Sequence, residues 1–357
     1  MTDASSMKIA ILGTGANGSC VGADLTKAGL DVTLIDQWPA HVEAMKADGL
    51  DVTLPDEHLN IPVQAWHLCE LAEHMPEFDV VFVACKAYDT RWLVQLIEPY
   101  LKEDGICVGL QNSMTHTIIA EIVGEKRTLG AVVELSSALF TPGIVTRNTK
   151  RSGTWFGFGD IDGTTSSRAE LVRSIMANVA KADLVENIAS AKWTKLVCNC
   201  MNRPIGLTGM RNAEAKELPG MNEIAMRLGQ EAQAVGEAMG LEMQPIFGLS
   251  EDDFKKEGIA GKSDESLAKF RNTLLGHIGP VARTAAIHDF LKGRRTETGN
   301  ISGLVVQKGK ELGIPVPHNA AIIEIDRRIM AGELELDVSN FGLLKSMLTS
   351  LPNRGKG

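Results

Sequence analysis

The 357-residue sequence has no apolar run long enough to cross a bilayer, so we do not expect a membrane-spanning protein. It also has no excess of basic residues, because its formal net charge is −9 at pH 7. Nucleic acids and anionic membrane surfaces attract basic faces, so the sequence predicts neither kind of partner. The N-terminal residues are short and polar, without the basic and apolar regions of a signal peptide.

Cysteine is scarce, and its spacing argues against a metal site. The six cysteines include no Cys-x-x-Cys pair, and no histidine pair lies near Cys198 and Cys200. We therefore predict no bound metal. Reduced, mostly buried thiols are typical of cytoplasmic proteins, and we predict that location for this chain.

What the sequence does contain is an alternation of short apolar runs with helical patterns. The predicted strands cover residues 8–12, 31–35, 78–84, 105–110 and 128–135. This order is typical of an α/β fold, here a doubly wound sheet of the Rossmann type. Turn residues around residues 143 and 153 predict that residues 144–146 and 154–156 form an antiparallel hairpin at the edge of that sheet.

Beyond about residue 166 long helical patterns dominate, most clearly over 189–207, 221–240 and 300–312. The chain length favours two domains. We predict a Rossmann domain over residues 1–185 and an all-helical domain for substrate binding and dimerisation over 186–357, which makes a homodimer the expected assembly. Residues 250–266 are predicted to form a mobile insertion, and the tail after Leu351 is expected to be frayed.

The first candidate site is a glycine-rich turn that fits the G-x-G-x-x-G pattern. It follows a predicted strand and opens a predicted helix, which is the context of a dinucleotide-binding turn. A helix N-terminus there presents N–H groups and a positive dipole end to a pyrophosphate. The alternative is a glycine turn without a ligand. The candidate cofactor contacts are Gly13, Thr14, Gly15, Ala16, Asn17 and Gly18.

Asp36 ends the second predicted strand and bears on the choice of cofactor. A carboxylate at this position accepts hydrogen bonds from the ribose hydroxyls of NAD and repels the 2′-phosphate of NADP. No arginine follows in Gln37 and Trp38, so the sequence favours NAD over NADP. The alternative interpretation is that Asp36 only caps the next helix, near Ala40.

Four further segments occur in the order in which one known family carries them. They are Cys85-Lys86-Ala87-Tyr88, Leu110-Gln111-Asn112-Ser113-Met114, the run from Trp193 to Cys200, and Thr296-Glu297 followed by Asn300-Ile301-Ser302-Gly303. With the glycine turn, they make the chain resemble the ketopantoate reductases (2-dehydropantoate 2-reductases). The resemblance extends from Lys8 to about Arg328, apart from the insertion.

This resemblance implies an oxidoreductase of the CH–OH class that transfers hydride between NAD(P) and a small 2-oxo or 2-hydroxy carboxylic acid. It implies that Lys195 is the general acid/base, that Asn199 binds substrate, and that Glu297 holds a substrate hydroxyl or orients Lys195. The residues themselves agree in part, since positions 195 and 199 share one face of a helix. The alternatives are a solvated Lys195, as we expect for Lys192, and a Glu297 that pairs with a neighbouring arginine.

Two more candidates lie where predicted parallel strands end, which is where such sheets bind ligands. Asn112 is expected to contact the nicotinamide ribose, unless it is only a turn residue. Lys86 is expected to contact either cofactor or substrate.

The chain also departs from the family pattern. Ala285, with Thr284 beside it, stands where the family carries a serine that binds the substrate carboxylate, and Ser113 replaces a glycine. Asn202-Arg203-Pro204 replaces Asn-Pro, so Arg203 stands where an asparagine is expected. An arginine can clamp a carboxylate with two parallel hydrogen bonds, so Asn202 and Arg203 join the substrate-binding candidates.

Asp36 departs as well, since the family usually prefers NADPH. These departures put ketopantoate itself in question as the substrate. Two other functions stay open: an opine- or 3-hydroxyacid-type dehydrogenase, and a dinucleotide-binding protein without catalytic activity.

Overall fold

A computed structural model describes residues 6–244 and 283–350 of the chain. The chain divides into two compact units, Met1–Lys192 and Trp193–Gly357. This division falls later than the predicted boundary after residue 185. The predicted insertion over 250–266 and the predicted frayed tail lie outside the described residues. Within the described ranges, no helix combines the length and apolar character needed to span a bilayer.

The first unit contains an eight-stranded sheet with helices between its strands. Its strands are β1 (Lys8–Leu12), β2 (Asp31–Asp36), β5 (Gln64–His67), β6 (Phe78–Val83), β7 (Leu101–Gly109), β8 (Thr128–Glu134), β11 (Trp155–Asp160) and β12 (Lys181–Leu184). The accompanying helices are α1 (Ala16–Lys27), α2 (Pro39–Asp48), α3 (Glu70–His74), α4 (Thr90–Ile97), α5 (Thr115–Val123) and α6 (Ser167–Met176).

The strand order is β12-β11-β8-β7-β6-β1-β2-β5, and every pair is parallel except β8 with β11. This confirms the predicted doubly wound Rossmann sheet. The centre of the sheet is apolar on both faces. Successive side chains of a strand point to opposite faces, so each central strand contributes to two buried clusters. Thus Ile9 and Ile11 of β1 join one buried cluster, while Ala10 and Leu12 join the other.

A second, four-stranded sheet lies in the same unit. It consists of β3 (Leu50–Thr53), β4 (His58–Ile61), β9 (Ser137–Thr141) and β10 (Ile144–Arg147), in the order β4-β3-β10-β9. Arg147 of β10 is buried and donates to the buried carboxylate of Asp24 in α1, with 2.7 Å between Nη1 and Oδ2. This ion pair joins the small sheet to the helix that follows the glycine turn.

The predicted edge hairpin is wrong. Residues 144–146 pair with β9 and β3 in the small sheet, whereas residues 155–156 belong to β11, which pairs with β8 and β12. The burial of the two strands explains the difference. β10 alternates between exposed and buried residues, while β11 is buried at all but its first position and needs neighbours on both sides.

The described part of the second unit is entirely helical, as predicted. Its helices are α7 (Ile188–Met201, which begins in the first unit), α8 (Arg203–Gly206), α9 (Asn212–Ala215), α10 (Met221–Ala238), α11 (Ala285–Leu291), α12 (Ser302–Leu312), α13 (Pro317–Met330) and α14 (Ser339–Thr349). The single helix predicted over 189–207 is interrupted after Met201. Pro204 explains this, because proline is tolerated only in the first turn of a helix.

Contacts within the second unit fix the rotation of α7. The buried indole of Trp193 donates from Nε1 to the carbonyl of Ala232 in α10, at 2.9 Å. Gly236 makes this approach possible, since a Cβ there would lie 2.2 Å from the indole nitrogen. Leu196, Val197 and the other apolar residues of α7 from Trp193 onward are buried as well.

Candidate functional site

The glycine turn has the geometry that its three glycines require. Gly13 has a φ of +89°, and a Cβ there would lie 2.6 Å from the backbone of Cys85. A Cβ on Gly18 would lie 2.3 Å from the carbonyl oxygen of Gly13. A Cβ on Gly15 would meet no atom of residues 6–244 and 283–350 within 4 Å. Gly13 and Gly18 are therefore needed for packing, while Gly15 faces open space at the start of α1.

A buried histidine holds this turn in place. Nε2 of His41 lies 2.9 Å from the carbonyl oxygen of Thr14, which also accepts from Ser19 Oγ at 2.7 Å. The N–H of Gly143 donates to Nδ1 of His41 at 3.0 Å. Because Nδ1 accepts, the ring proton is assigned to Nε2, which donates to Thr14. Sequence reasoning missed His41, since no motif connects it with the turn.

Two of the three other residues of the turn, Thr14 and Asn17, have polar side chains that a ligand would meet. Asn17 accepts a hydrogen bond from Ser137 Oγ of the small sheet, at 2.6 Å from its Oδ1. The hydroxyl of Thr14 is buried and has no hydrogen-bond partner in the part of the chain that the structure describes. A buried hydroxyl without a partner is unusual, so it marks a place where a bound group can complete the hydrogen bonding.

Asp36 lies at the carboxyl end of β2 and is largely buried. Its Oδ1 accepts from the backbone N–H of Trp38 at 2.8 Å, and Trp38 is the residue that precedes α2. Asp36 therefore contacts the residue that precedes α2, but among the described residues no side-chain capping hydrogen bond forms at the start of this helix, so the alternative interpretation as a helix cap is not what the structure shows. Within the described ranges its Oδ2 has no protein partner, so one oxygen is left for a ligand.

Lys86 and Asn112 follow the neighbouring parallel strands β6 and β7, so both lie at the carboxyl edge of the sheet. The side chain of Gln111 joins the two loops: Nε2 donates to the carbonyl of Cys85 at 3.0 Å and to Thr90 Oγ1 at 2.8 Å. Hydrogen bonds of Gln111 thus join the loops that follow β6 and β7 at this edge of the sheet.

The turn at Asn112 keeps a glycine-type conformation without a glycine. Ser113 has a φ of +67°, in the left-handed region that side chains other than glycine rarely adopt. Holding a serine there costs about 1 kcal/mol or more, and such strain is concentrated at functional sites. Ser113 therefore occupies a conformation that a glycine adopts without this cost.

The expectation that Lys192 is solvated is wrong. Lys192 is 3% exposed, and its Nζ donates to the backbone carbonyls of Gln111 and Ala131, each at 2.9 Å. Burial lowers the pKa of Lys192 from its usual 10.5 to about 7. The nearby His116 is also buried. Its pKa falls to about 3, mainly through burial and further through the Lys192 charge.

In the second unit, α7 carries the predicted catalytic lysine on its only accessible side. From Trp193 to Met201 every residue is buried except Lys195 and Asn199, which are half-buried. Asn202, also half-buried, follows one turn later on the same side. The structure therefore brings these three predicted residues onto one surface of the second unit.

Glu297 is buried, and its two neighbours are held by one carboxylate. Thr296 Oγ1 donates to Asp326 of α13 at 2.9 and 2.8 Å, and Thr298 Oγ1 donates to it at 2.6 Å. The pKa of Asp326 is raised by burial, although the two threonines oppose the shift. Asp326 thus fixes the backbone on both sides of Glu297. Sequence reasoning missed it, because a lone aspartate in a helical pattern gives no signal.

Arg203 opens α8 and is half-buried. Its Nη1 lies 3.4 Å from Thr298 Oγ1, and within residues 6–244 and 283–350 it forms no ion pair. At the family's serine position Ala285 offers only a methyl group. Thr284, however, has a buried hydroxyl that finds no partner among the described residues, and it lies close to Gly206 of α8. Arg203 and Thr284 therefore place a positive charge and a hydroxyl along α8.

In the described parts of both units, no three histidine, cysteine, aspartate or glutamate side chains are grouped as metal ligands are.

Gly15 and Gly18 give a matched test of the turn. Gly15→Ala should fold with wild-type stability, because its new Cβ meets nothing and Gly15 has a φ of −60°. It should weaken dinucleotide binding about tenfold or more, because the methyl group occupies the approach of the pyrophosphate. Gly18→Ala should instead lower the melting temperature, since its Cβ meets a backbone oxygen. Calorimetric titration with NADH and thermal unfolding measure both. Unchanged NADH affinity in Gly15→Ala would contradict the assignment of the turn.

Comparison with known proteins agrees with this architecture. Residues 9–160 match the family described as ketopantoate reductase PanE/ApbA, and residues 187–329 match its C-terminal part. A 2-dehydropantoate 2-reductase of Archaeoglobus fulgidus is 28% identical over 331 residues, which cover 91% of this chain and 98% of the relative. One from Mesorhizobium japonicum is 28% identical over 346 residues, covering 90% and 98%.

Solved structures share the fold. A PanE/ApbA family ketopantoate reductase from Ralstonia eutropha JMP134 has a TM-score of 0.75 at 24% identity and covers 92% of this chain and 99% of its own. A D-mandelate dehydrogenase in a ternary structure with NADH and anilino(oxo)acetate has a TM-score of 0.77 at 20% identity, covering 91% and 99%. Since the two family matches together span most of the sequence, the chain belongs to the ketopantoate reductase PanE/ApbA family.

Proposed function

We propose that the protein is a nicotinamide-dependent oxidoreductase that interconverts a small 2-oxo carboxylic acid and its 2-hydroxy acid, with Lys195 as general acid/base. The observation that carries this proposal is the accessible side of α7, where Lys195 and Asn199 are the half-buried residues of an otherwise buried stretch. Membership of the family supports it, as does the name of the Archaeoglobus relative, a 2-dehydropantoate 2-reductase.

The residues of the first unit fit a dinucleotide. Among the described residues, nothing fills the space at Gly15 and nothing pairs with the hydroxyl of Thr14, and both features suit a pyrophosphate. The first N–H groups of α1 also have no acceptor within the helix. Asp36 offers Oδ2 to the ribose hydroxyls, and Asn112 is proposed to contact the nicotinamide ribose. A bound nicotinamide supplies or accepts the hydride at the substrate's carbonyl carbon.

The residues of the second unit supply the proton and bind the substrate. In reduction, the ammonium of Lys195 gives one proton to the carbonyl oxygen as the carbon receives hydride, and the neutral amine is then reprotonated from solvent. In oxidation, the amine removes the proton of the alcohol. Glu297, held between two anchored threonines, is proposed to accept a hydrogen bond from a substrate hydroxyl or to orient Lys195.

The substrate carboxylate is assigned to Arg203. A half-buried guanidinium without a carboxylate partner in the described residues is electrostatically incomplete, and an incoming carboxylate supplies the missing charge. Asn199 and Asn202 are proposed to donate hydrogen bonds to the same substrate. Lys86 is proposed to contact the cofactor or the substrate from the first unit.

We further propose that NAD is preferred over NADP. The Oδ2 of Asp36 is available to the ribose, and within the described ranges no lysine or arginine forms an ion pair with this carboxylate. The domain boundary after residue 185, the homodimer and the cytoplasmic location stay predictions of the sequence. A Staphylococcus aureus ketopantoate reductase of the same fold is described as dimeric.

Lys195→Ala tests the proposed chemistry. Its kcat with NADH and 2-oxo acids should fall about 10²- to 10⁴-fold, the usual contribution of a general acid, while its NADH affinity stays unchanged. Steady-state NADH oxidation over a panel of 2-oxo acids measures this, with Lys310→Ala on the exposed side of α12 as control. A variant near wild-type rate would favour an opine- or 3-hydroxyacid-type dehydrogenase. NADH binding without turnover by the wild type would favour a non-catalytic protein.

Asp36→Asn tests the choice of cofactor. The amide keeps an acceptor for the Trp38 N–H but removes the charge that repels a 2′-phosphate. The ratio of kcat/KM for NADH to that for NADPH should therefore fall about tenfold or more, which corresponds to about 1.4 kcal/mol. Asp31→Asn, at the exposed start of β2, is the matched control. A wild-type enzyme that prefers NADPH would refute the assignment.

Arg203→Asn restores the residue expected from the family and removes the proposed clamp. The KM for 2-oxo acids should rise about tenfold or more, because a charged hydrogen-bonded pair contributes about 1.5–3 kcal/mol. The affinity for NADH should not change. Arg227→Asn, on an exposed face of α10, controls for the loss of an arginine. If the KM is unaltered, the carboxylate binds elsewhere.

A further inference from the structure

Lys192 lies where two neighbouring strands separate. The parallel pairing of β7 with β8 ends at Gly109 and Gly130. Just beyond that point, the carbonyls of Gln111 and Ala131 both accept from the Lys192 amine at 2.9 Å. The side chain thus joins the carboxyl ends of β7 and β8 where their backbones no longer bond to each other.

The electrostatic setting of Lys192 is unusual for a lysine. Within the described residues it forms no ion pair, and its two acceptors are neutral carbonyls. A neutral amine has two N–H groups, which suffice as donors for the two carbonyls. The pKa of Lys192, lowered to about 7, agrees with a neutral amine at this site. The titratable side chain that interacts with it, His116 of α5, stays neutral near pH 7 because its own pKa is about 3.

The carbonyl of Gln111 belongs to the same rigid peptide unit as the N–H of Asn112. The hydrogen bond from Lys192 to that carbonyl therefore fixes the orientation of the peptide plane that precedes Asn112. On the opposite side, the turn is held by the Gln111 side chain and by the Leu110 N–H, which donates to Val83 at 2.9 Å. These two attachments and Lys192 keep the turn in place although Ser113 is in the left-handed region.

We propose that Lys192 is a positioning residue for dinucleotide binding, whose amine joins the ends of β7 and β8 and so fixes the turn that presents Asn112 to the nicotinamide ribose. The proposal rests on the proposed function, in which Asn112 contacts the cofactor. A methionine of similar length would fill the same space without the cost of burying an amine. The two carbonyl contacts are what a methionine lacks, so the role is assigned to them.

Lys192→Met and Lys192→Gln test the proposal. Lys192→Met should raise the Kd for NADH about tenfold, since two carbonyls lose their donor. The KM for the 2-oxo acid, measured at saturating NADH, should stay within about twofold of wild type. Lys192→Gln carries an amide with two N–H donors and should recover part of the lost affinity. Lys181→Met, on an exposed lysine of β12, is the control for replacing a lysine by methionine.

A second measurement shows whether the amine is buried in solution. The pKa of Lys192 is lower in the folded chain than in the unfolded chain, so between about pH 7 and about pH 10 the unfolded chain binds more protons. Wild-type stability should therefore rise over this range relative to Lys192→Met. Urea unfolding at about pH 7 and about pH 9 measures the difference. An equal pH dependence in both proteins would overturn the buried amine and the proposal with it.

The outcomes separate this proposal from the proposed function. A wild-type protein that binds NADH and turns over, beside a Lys192→Met variant with the same Kd, refutes the role of Lys192 alone. A wild-type protein that does not bind NADH refutes the proposed function first. If Lys192→Met does not fold, Lys192→Gln decides: a raised NADH Kd with unchanged substrate KM supports positioning. Wild-type values, or a change in the substrate KM alone, overturn it.

Discussion

The close contact between the start of α1 and the turn before it is the constraint on which the first unit depends. Gly18 lies so near the Gly13 carbonyl that no side chain fits between them. This contact sets α1 directly over the end of β1, with its N-terminus at the carboxyl edge of the sheet. His41 then holds the Thr14 carbonyl, and Arg147 holds α1 through Asp24. Residues of the small sheet and of its connecting turn therefore help to hold the glycine turn and α1.

Much of the fold could be predicted, because its signals are local. Apolar runs such as residues 8–12 and 78–84 became buried strands, and the glycine pattern became a turn with a left-handed Gly13. The edge hairpin failed because strand pairing depends on partners far along the chain: β10 found β3, and β11 found β8. Local turn residues contain no information about those partners.

The candidate site was predictable to the extent that it follows motifs. The sequence indicated Lys195, Asn199 and Asn202, and all three lie on one side of the second unit. It gave no sign of Asp326 or His41, and it misjudged Lys192. Each of these acts on backbone or side-chain atoms distant in sequence, such as the Ala131 carbonyl for Lys192. Burial of a polar side chain is set by tertiary packing, and a helical pattern does not reveal it.

The positive charge of Arg203 in the second unit is relevant to how an anionic substrate is bound. Asp326 is a buried carboxylate whose pKa is raised by burial and lowered in part by the charge of Arg203, yet its oxygens accept from Thr296 and Thr298. Arg203 reaches it only through the Thr298 hydroxyl, in a long hydrogen bond. Such an arrangement orients the guanidinium without neutralising it by direct contact. If Arg203 binds the substrate carboxylate, as proposed, that carboxylate meets an arginine already held in place, with less side-chain freedom to lose on binding. An asparagine at position 203 would offer no charge, so under the proposed role the arginine gives this chain an electrostatic contact to an anionic substrate group that an asparagine lacks.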